Sequence, residues 1–207
     1  MSGRKVAYHH ARLLDPASGL DIAGSLLTEG ERIVELGPGK SFIGSDIEQV
    51  DCRGLALAPG LIDMQAHLRE PGAEHQETLA TAARAAAAGG ITTLVAMPDT
   101  HPVIDEVALV EFIARRAAET ACVRVLPAAA LTRGRRGMEM TELGLLAGAG
   151  AVAFTDGDRA IGDSLLMRRA LSYAATFDAL IMVHCQDPQL TGEGVMNEGE
   201  MAIRLGL

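Results

Sequence analysis

The chain has 207 residues, 48% of them hydrophobic and 22% charged, with a formal net charge of −9. That composition excludes a disordered chain or a collagen-like fibre. Its acidic balance argues against a nucleic-acid groove, which needs clustered Lys and Arg. No apolar run approaches the ~18 residues that cross a bilayer, and Met1-Ser2-Gly3-Arg4-Lys5 lacks the apolar stretch of a secretory leader. The expectation is a cytoplasmic protein that binds neither membrane nor nucleic acid. Cys52, Cys122 and Cys185 are odd in number and show no Cys-x-x-Cys spacing, which predicts reduced, mostly buried thiols and no disulfide framework. Aromatics make up 3% and Trp is absent, so the core must come from Ala, Leu, Ile, Val and Met.

Residues 1–56 read as short strands and turns. Val6-Ala7-Tyr8-His9-His10 leads to a turn around Asp15-Pro16-Ala17-Ser18-Gly19, and a strand over 25–28 ends at Glu29-Gly30-Glu31. Residues 32–37 and 47–52 supply two more alternating segments. The expectation is a small antiparallel β unit.

From Leu57 the pattern changes to repeating strand, loop and helix. The strands are expected at 57–64, at 91–97 (β-branched and buried), at 122–127, at 151–155 and at 179–184. A helix is expected over 78–88, with Gly89-Gly90 as its C-terminal stop. Others follow at 107–118, capped by Asp105; at 141–148, capped by Thr141; and after Asp163. Residues 198–207 read as a last helix. Consecutive βα units imply a parallel sheet, either doubly wound or a (β/α)8 barrel. No G-x-G-x-x-G or P-loop supports the nucleotide-binding version. A full barrel needs roughly 200 or more residues, and about five units fit between 57 and 207. The expectation is an incomplete α/β barrel: the front of a longer protein, or a chain that needs a partner to close it.

In such a barrel the chemistry sits at the C-terminal strand ends. Those ends carry Asp63-Met64-Gln65-Ala66-His67-Leu68-Arg69-Glu70-Pro71-Gly72, then Met97-Pro98-Asp99-Thr100, then Phe154-Thr155-Asp156-Gly157-Asp158, then His184-Cys185-Gln186-Asp187. Imidazoles and carboxylates at this density suit a divalent metal such as zinc.

The run from Pro59-Gly60-Leu61-Ile62-Asp63 through His67-Leu68-Arg69-Glu70-Pro71-Gly72 resembles the start of the barrel in dihydroorotases of the cyclic amidohydrolase superfamily. The resemblance continues through Ala87-Ala88-Gly89-Gly90-Ile91-Thr92-Thr93, Met97-Pro98-x-Thr100, Phe154-x-Asp156, His184-x-x-Asp187 and Gly194-x-Met196-Asn197-Glu198-Gly199. It implies a small N-terminal β-sandwich segment, 1–56, followed by the first part of a metal-dependent, TIM-type (β/α)8 hydrolase barrel, 57–207. The implied reaction is the interconversion of dihydroorotate and N-carbamoyl-L-aspartate on one or two zinc ions. The chemistry rests on the lowered pKa of a zinc-bound water.

Residue by residue, the resemblance gives His67, Asp156 and His184 as metal ligands, with Gln65 where the family has a first histidine. It gives Arg69 as the group that grips the substrate carboxylate, with Asp99 in place of an asparagine partner. The family's general base and a later histidine fall beyond Leu207. Asp63 reads as a structural acid. His75 and His101 read as loop residues, His9 and His10 as strand-surface residues, and Cys185 as a poor ligand beside His184. Asp158 competes with Asp156 for the bridging position.

The leading expectation is a dihydroorotase-family hydrolase of pyrimidine biosynthesis, acting on a small molecule as a homo-oligomer, with activity weakened by Gln65 and Asp99. One rival is a dihydroorotase-like, non-catalytic subunit that supports aspartate transcarbamoylase. Another is a different cyclic amidohydrolase, of the allantoinase or hydantoinase type.

Overall fold

The computed structural model describes residues 3–207. The chain divides into two compact units, one running to Gly60 and the other covering Leu61–Leu207.

In the first unit, β1 (Lys5–Asp15) is central. It pairs antiparallel with β2 (Leu20–Glu29), which in turn carries β3 (Arg32–Gly37). On its other side β1 pairs in parallel with β4 (Ile47–Asp51) and β5 (Ala56–Leu57). The unit is therefore mixed rather than antiparallel. The strand pattern alone does not reveal that the chain after β3 returns to the far side of β1. The β1–β2 turn forms as its sequence expects. The Asp15 carboxylate accepts from the Ser18 hydroxyl at 2.6 Å and the Ala17 N–H at 3.1 Å, and these bonds hold its pKa below the usual range. Among the described residues this unit forms one sheet, whose small core gathers Ala11, Leu13 and Leu26.

The second unit is a five-stranded parallel sheet in simple sequence order. Its strands are β6 (Leu61–Ala66), β7 (Ile91–Ala96), β8 (Arg124–Ala129), β9 (Ala153–Phe154) and β10 (Leu180–Ile181). Between successive strands run α1 (Leu79–Ala88), α2 (Val107–Thr120), α3 (Leu143–Gly148) and α4 (Ser164–Ala174). The short α5 (Pro188–Thr191) and α6 (Glu200–Leu205) follow. This is an α/β half-barrel. Its edge strand β6 leaves Leu61 and Ile62 about two-thirds bare, at 62% and 65% exposure. Such an uncovered apolar edge is one that a further strand would pair with. Among the described residues, no helix is long and apolar enough to cross a membrane.

Local chemistry explains the helices. Thr78 and Thr81 form a reciprocal cap at the start of α1, satisfying N–H groups that the helix itself cannot. Leu79, Ala82, Ala83 and Ala86 then present one buried stripe, the i, i+3, i+4, i+7 spacing of an amphipathic helix. Asp163 caps α4 as expected, accepting from the Leu165 and Leu166 N–H groups. Asp105 and Thr141 do not cap α2 and α3. Asp105 instead accepts from the Gly134 N–H at 2.8 Å, and the Thr141 hydroxyl donates to the Ala130 carbonyl at 2.7 Å. Both side chains satisfy loop backbone rather than helix ends. Cys122 and Cys185 are exposed and Cys52 is half-buried, which corrects the expectation of buried thiols: both exposed ones sit in connections flanking strands.

Candidate functional site

His67 lies one residue beyond β6, and Asp99 lies in the loop after the neighbouring β7. The Asp99 Oδ2 atom accepts from His67 Nδ1 at 2.7 Å and from Arg69 Nη1 at 3.4 Å. Asp99 is 14% exposed as a side chain, whereas His67 and Arg69 are 42% and 43% exposed. A mostly buried carboxylate thus holds two groups that face solvent. His67 Nε2 has no partner among the described residues. Arg69 adopts a left-handed backbone, φ 58°, a conformation that costs a non-glycine residue free energy and is held by its surroundings.

Those surroundings are specific. Glu70 is buried; its carboxylate accepts from the Leu79 N–H at 2.8 Å and from Arg116 Nε at 2.7 Å. It ties the loop to the first turn of α1 and to α2. Gly72, at φ 104°, lies so close to the next loop that a Cβ would sit 2.0 Å from the His101 carbonyl oxygen. The His101 N–H returns to the Pro71 carbonyl at 3.0 Å. Beside these loops Asp63, Gln65, His67 and Glu77 line a cavity of about 340 Å³. Asp63 accepts from the Gln65 N–H at 2.9 Å, the structural role its position suggested.

Asp156 follows β9 and is buried. One carboxylate oxygen accepts from the Thr132 N–H at 2.9 Å and the other from the Thr132 hydroxyl. Arg135, also buried, donates from Nε to the Asp156 carbonyl at 2.9 Å and pairs with Asp158. Partial desolvation pushes the Asp158 carboxyl up, but the Arg135 charge and hydrogen bond outweigh it and hold the pKa below the usual range. His184 is exposed and pairs through Nε2 with Gln186 at 2.7 Å. Asp187 caps α5.

His67, Arg69 and Asp99 are therefore brought together, while Asp156 and His184 each have separate partners. The expected metal trio of His67, Asp156 and His184 is not assembled: among the described residues, no group of three or more His, Cys, Asp or Glu is placed to hold a metal ion. The physical reason is local. Asp156 is turned inward onto Thr132, His184 onto its own loop, and Gln65 offers an amide where an imidazole is expected. This donor set does not fit a zinc centre.

His75 and His101 are exposed loop residues. His9 bonds to Ser25 and Gln49 across the first sheet, and His10 to Asp51. A cleft of about 820 Å³ in that unit is lined by His9, His10, Arg12, Ser25 and Lys40. Its cations are already engaged, Arg12 by Asp21 and Lys40 by Glu35.

Reading the sequence missed Glu70, Arg116, Thr132 and Arg135. Glu70 carried a signal: an acid in a Pro-Gly loop shortly before a helix start. Thr132 and Arg135 lie in a loop without a recognisable pattern.

The fold is similar to those of solved hydantoinase and dihydroorotase structures. L-hydantoinase (dihydropyrimidinase) from Arthrobacter aurescens matches with a TM-score of 0.74 at 19% identity, covering 94% of this chain and 45% of that one. A dihydroorotase crystal structure matches with a TM-score of 0.57 at 13% identity, covering 89% of this chain and 52% of that one. A family profile described as Dihydro-orotase-like matches residues 54–207. The dihydroorotase of Wolbachia sp. subsp. Drosophila simulans (strain wRi) is 44% identical over 205 residues, covering 99% of this chain and 46% of the relative. That of Syntrophus aciditrophicus (strain SB) is 42% identical over 203 residues, covering 98% and 48%. The chain belongs to the dihydroorotase-like family. It spans about half the length of the curated relatives it matches.

Proposed function

We propose that this chain carries the carboxylate-reading part of a dihydroorotase, a hydrolase that interconverts dihydroorotate and N-carbamoyl-L-aspartate in pyrimidine biosynthesis. The observation that carries the reading is Arg69, held in a left-handed loop at the C-terminal end of β6 beside Asp99. A guanidinium there offers a planar fork to a ring carboxylate. In this reading 57–207 is the first part of a (β/α)8 barrel, and the sheet of 1–56 is one layer of a β-sandwich. The protein is a cytoplasmic homo-oligomer. Zinc is the ion the family resemblance implies, but the placement of Asp156, His184 and Gln65 does not fit it.

A second reading is favoured by Gln65 and by the Thr132 grip on Asp156. In it the chain is a non-catalytic subunit that supports aspartate transcarbamoylase. One experiment separates the two. Dihydroorotate is titrated into the purified chain calorimetrically. Binding by the wild type that is lost in Arg69→Ala supports the enzyme. No binding, with co-elution of the chain and aspartate transcarbamoylase, supports the subunit.

A further inference from the structure

We infer that Asp99 is a built-in competitor for the Arg69 guanidinium and thereby sets how strongly this site takes a carboxylated ring. The inference rests on the reading of Arg69 as the carboxylate-binding group. Asp99 Oδ2 holds two partners unequally: His67 Nδ1 at 2.7 Å, a short bond, and Arg69 Nη1 at 3.4 Å, at the long limit. Arg69 is the partner that lets go. The guanidinium has five N–H donors, and among the described residues only the Nη1 contact is engaged. The others have no partner among the described residues, and the side chain is 43% exposed, within reach of an incoming carboxylate.

Such a carboxylate does not meet a free cation. It meets one whose charge is already opposed by Asp99, whose own charge cannot move away. Asp99 is 14% exposed and is anchored by the shorter His67 bond. Two carboxylates sharing one guanidinium repel each other. The penalty falls on a ligand with its own negative group and spares an uncharged cyclic ureide. Asp99 is thus a specificity-determining residue that lowers affinity for anionic rings without altering the neutral ring's contacts.

The test uses the 207-residue chain as wild type, Asp99→Asn and Asp99→Ser, each checked for folding by circular dichroism. The Arg69 Nε–H resonance is followed while acetate is added, and dihydroorotate and dihydrouracil are then titrated calorimetrically. Both variants are expected to bind acetate at Arg69 and dihydroorotate about tenfold more tightly, ~1.4 kcal/mol, with dihydrouracil unchanged. Unchanged acetate affinity in both variants overturns the inference, as does an equal gain for the two rings. If both variants tighten acetate at Arg69 yet no form of the chain binds either ring, the competition stands and the dihydroorotase reading fails.

Discussion

Asp156 sets both of its carboxylate oxygens on a single residue, Thr132, one on the backbone N–H and the other on the hydroxyl. Both residues are buried, and the Thr132 hydroxyl also accepts from the Gly137 N–H at 2.8 Å. The loop after β8 is thereby pinned to the loop after β9 by a carboxylate shielded from bulk solvent. Removing the hydroxyl strands one charged oxygen and one N–H. Thr132→Val is expected to cost ~2–3 kcal/mol, read as a lower urea midpoint at unchanged slope. Thr132→Ser, which keeps the hydroxyl, should recover most of it. A Val variant as stable as the wild type would show that the pin carries no stability.

Glu70 does the same work for the other loop. Its buried carboxylate accepts from the first N–H of α1 and from Arg116. Glu70→Ala leaves the Leu79 N–H without its acceptor, a loss of ~1–2 kcal/mol. The Arg116 contact adds little, because the arginine is itself well exposed to solvent. Glu70→Gln, which retains an acceptor for Leu79, should lose less. Amide exchange at Leu79 measures this directly: faster in the Ala variant, close to wild type in the Gln variant.

Gly72 is required by geometry rather than by charge. Its φ of 104° and the 2.0 Å that would separate an added Cβ from the His101 carbonyl oxygen leave no room for a side chain. Gly72→Ala is expected to cost more than ~2 kcal/mol. It should also push the Arg69 loop away from the Asp99 loop, visible as a shifted Arg69 side-chain resonance. An Ala variant with wild-type stability and an unmoved Arg69 would refute the close approach.

Arg135 and Asp158 give a pH dependence whose sign is fixed. The Asp158 carboxyl is held below its usual range in the fold. The unfolded chain therefore binds that proton more readily, so the pair's stabilisation is present above the unfolded carboxyl pKa. It is lost as the pH falls through the folded value. The stability difference between wild type and Asp158→Asn should thus be largest near neutrality and shrink below about pH 4. A difference that grows on acidification would contradict the pairing.

The elements that carry their own local signal were legible in the sequence. The capped, Ala-rich α1 stops at Gly89-Gly90, and the β-branched 91–97 run gives β7, because each depends on neighbours a few residues away. The caps assigned to Asp105 and Thr141 failed for the opposite reason. Their partners, Gly134 and Ala130, lie in other loops, and sequence spacing cannot show which distant carbonyl or N–H a short polar side chain will find. The parallel return of β4 onto β1 was hidden likewise. At the site, the His67–Asp99 bond was not foreseen; the family resemblance gave Asp99 only as a partner of Arg69. It also suggested Asp156 and His184 as joint ligands. What decides them is side-chain direction: Asp156 turns to Thr132, and His184 to Gln186.

Gln65 offers the sharpest test of the metal question. It lines one cavity with Asp63 and His67, and His67 Nε2 has no partner among the described residues. An amide oxygen is a poor ligand for zinc, whereas imidazole is among the best. Gln65→His would place a second imidazole beside His67, with the Asp63 carboxylate lining the same cavity. The variant is expected to bind zinc at least about tenfold more tightly than the wild type, measured by equilibrium dialysis of the full chain followed by metal analysis. His67→Ala added to that variant should abolish the gain, because the site then loses its other imidazole. If Gln65→His leaves bound zinc unchanged, the amide is not what keeps this strand end from holding a metal.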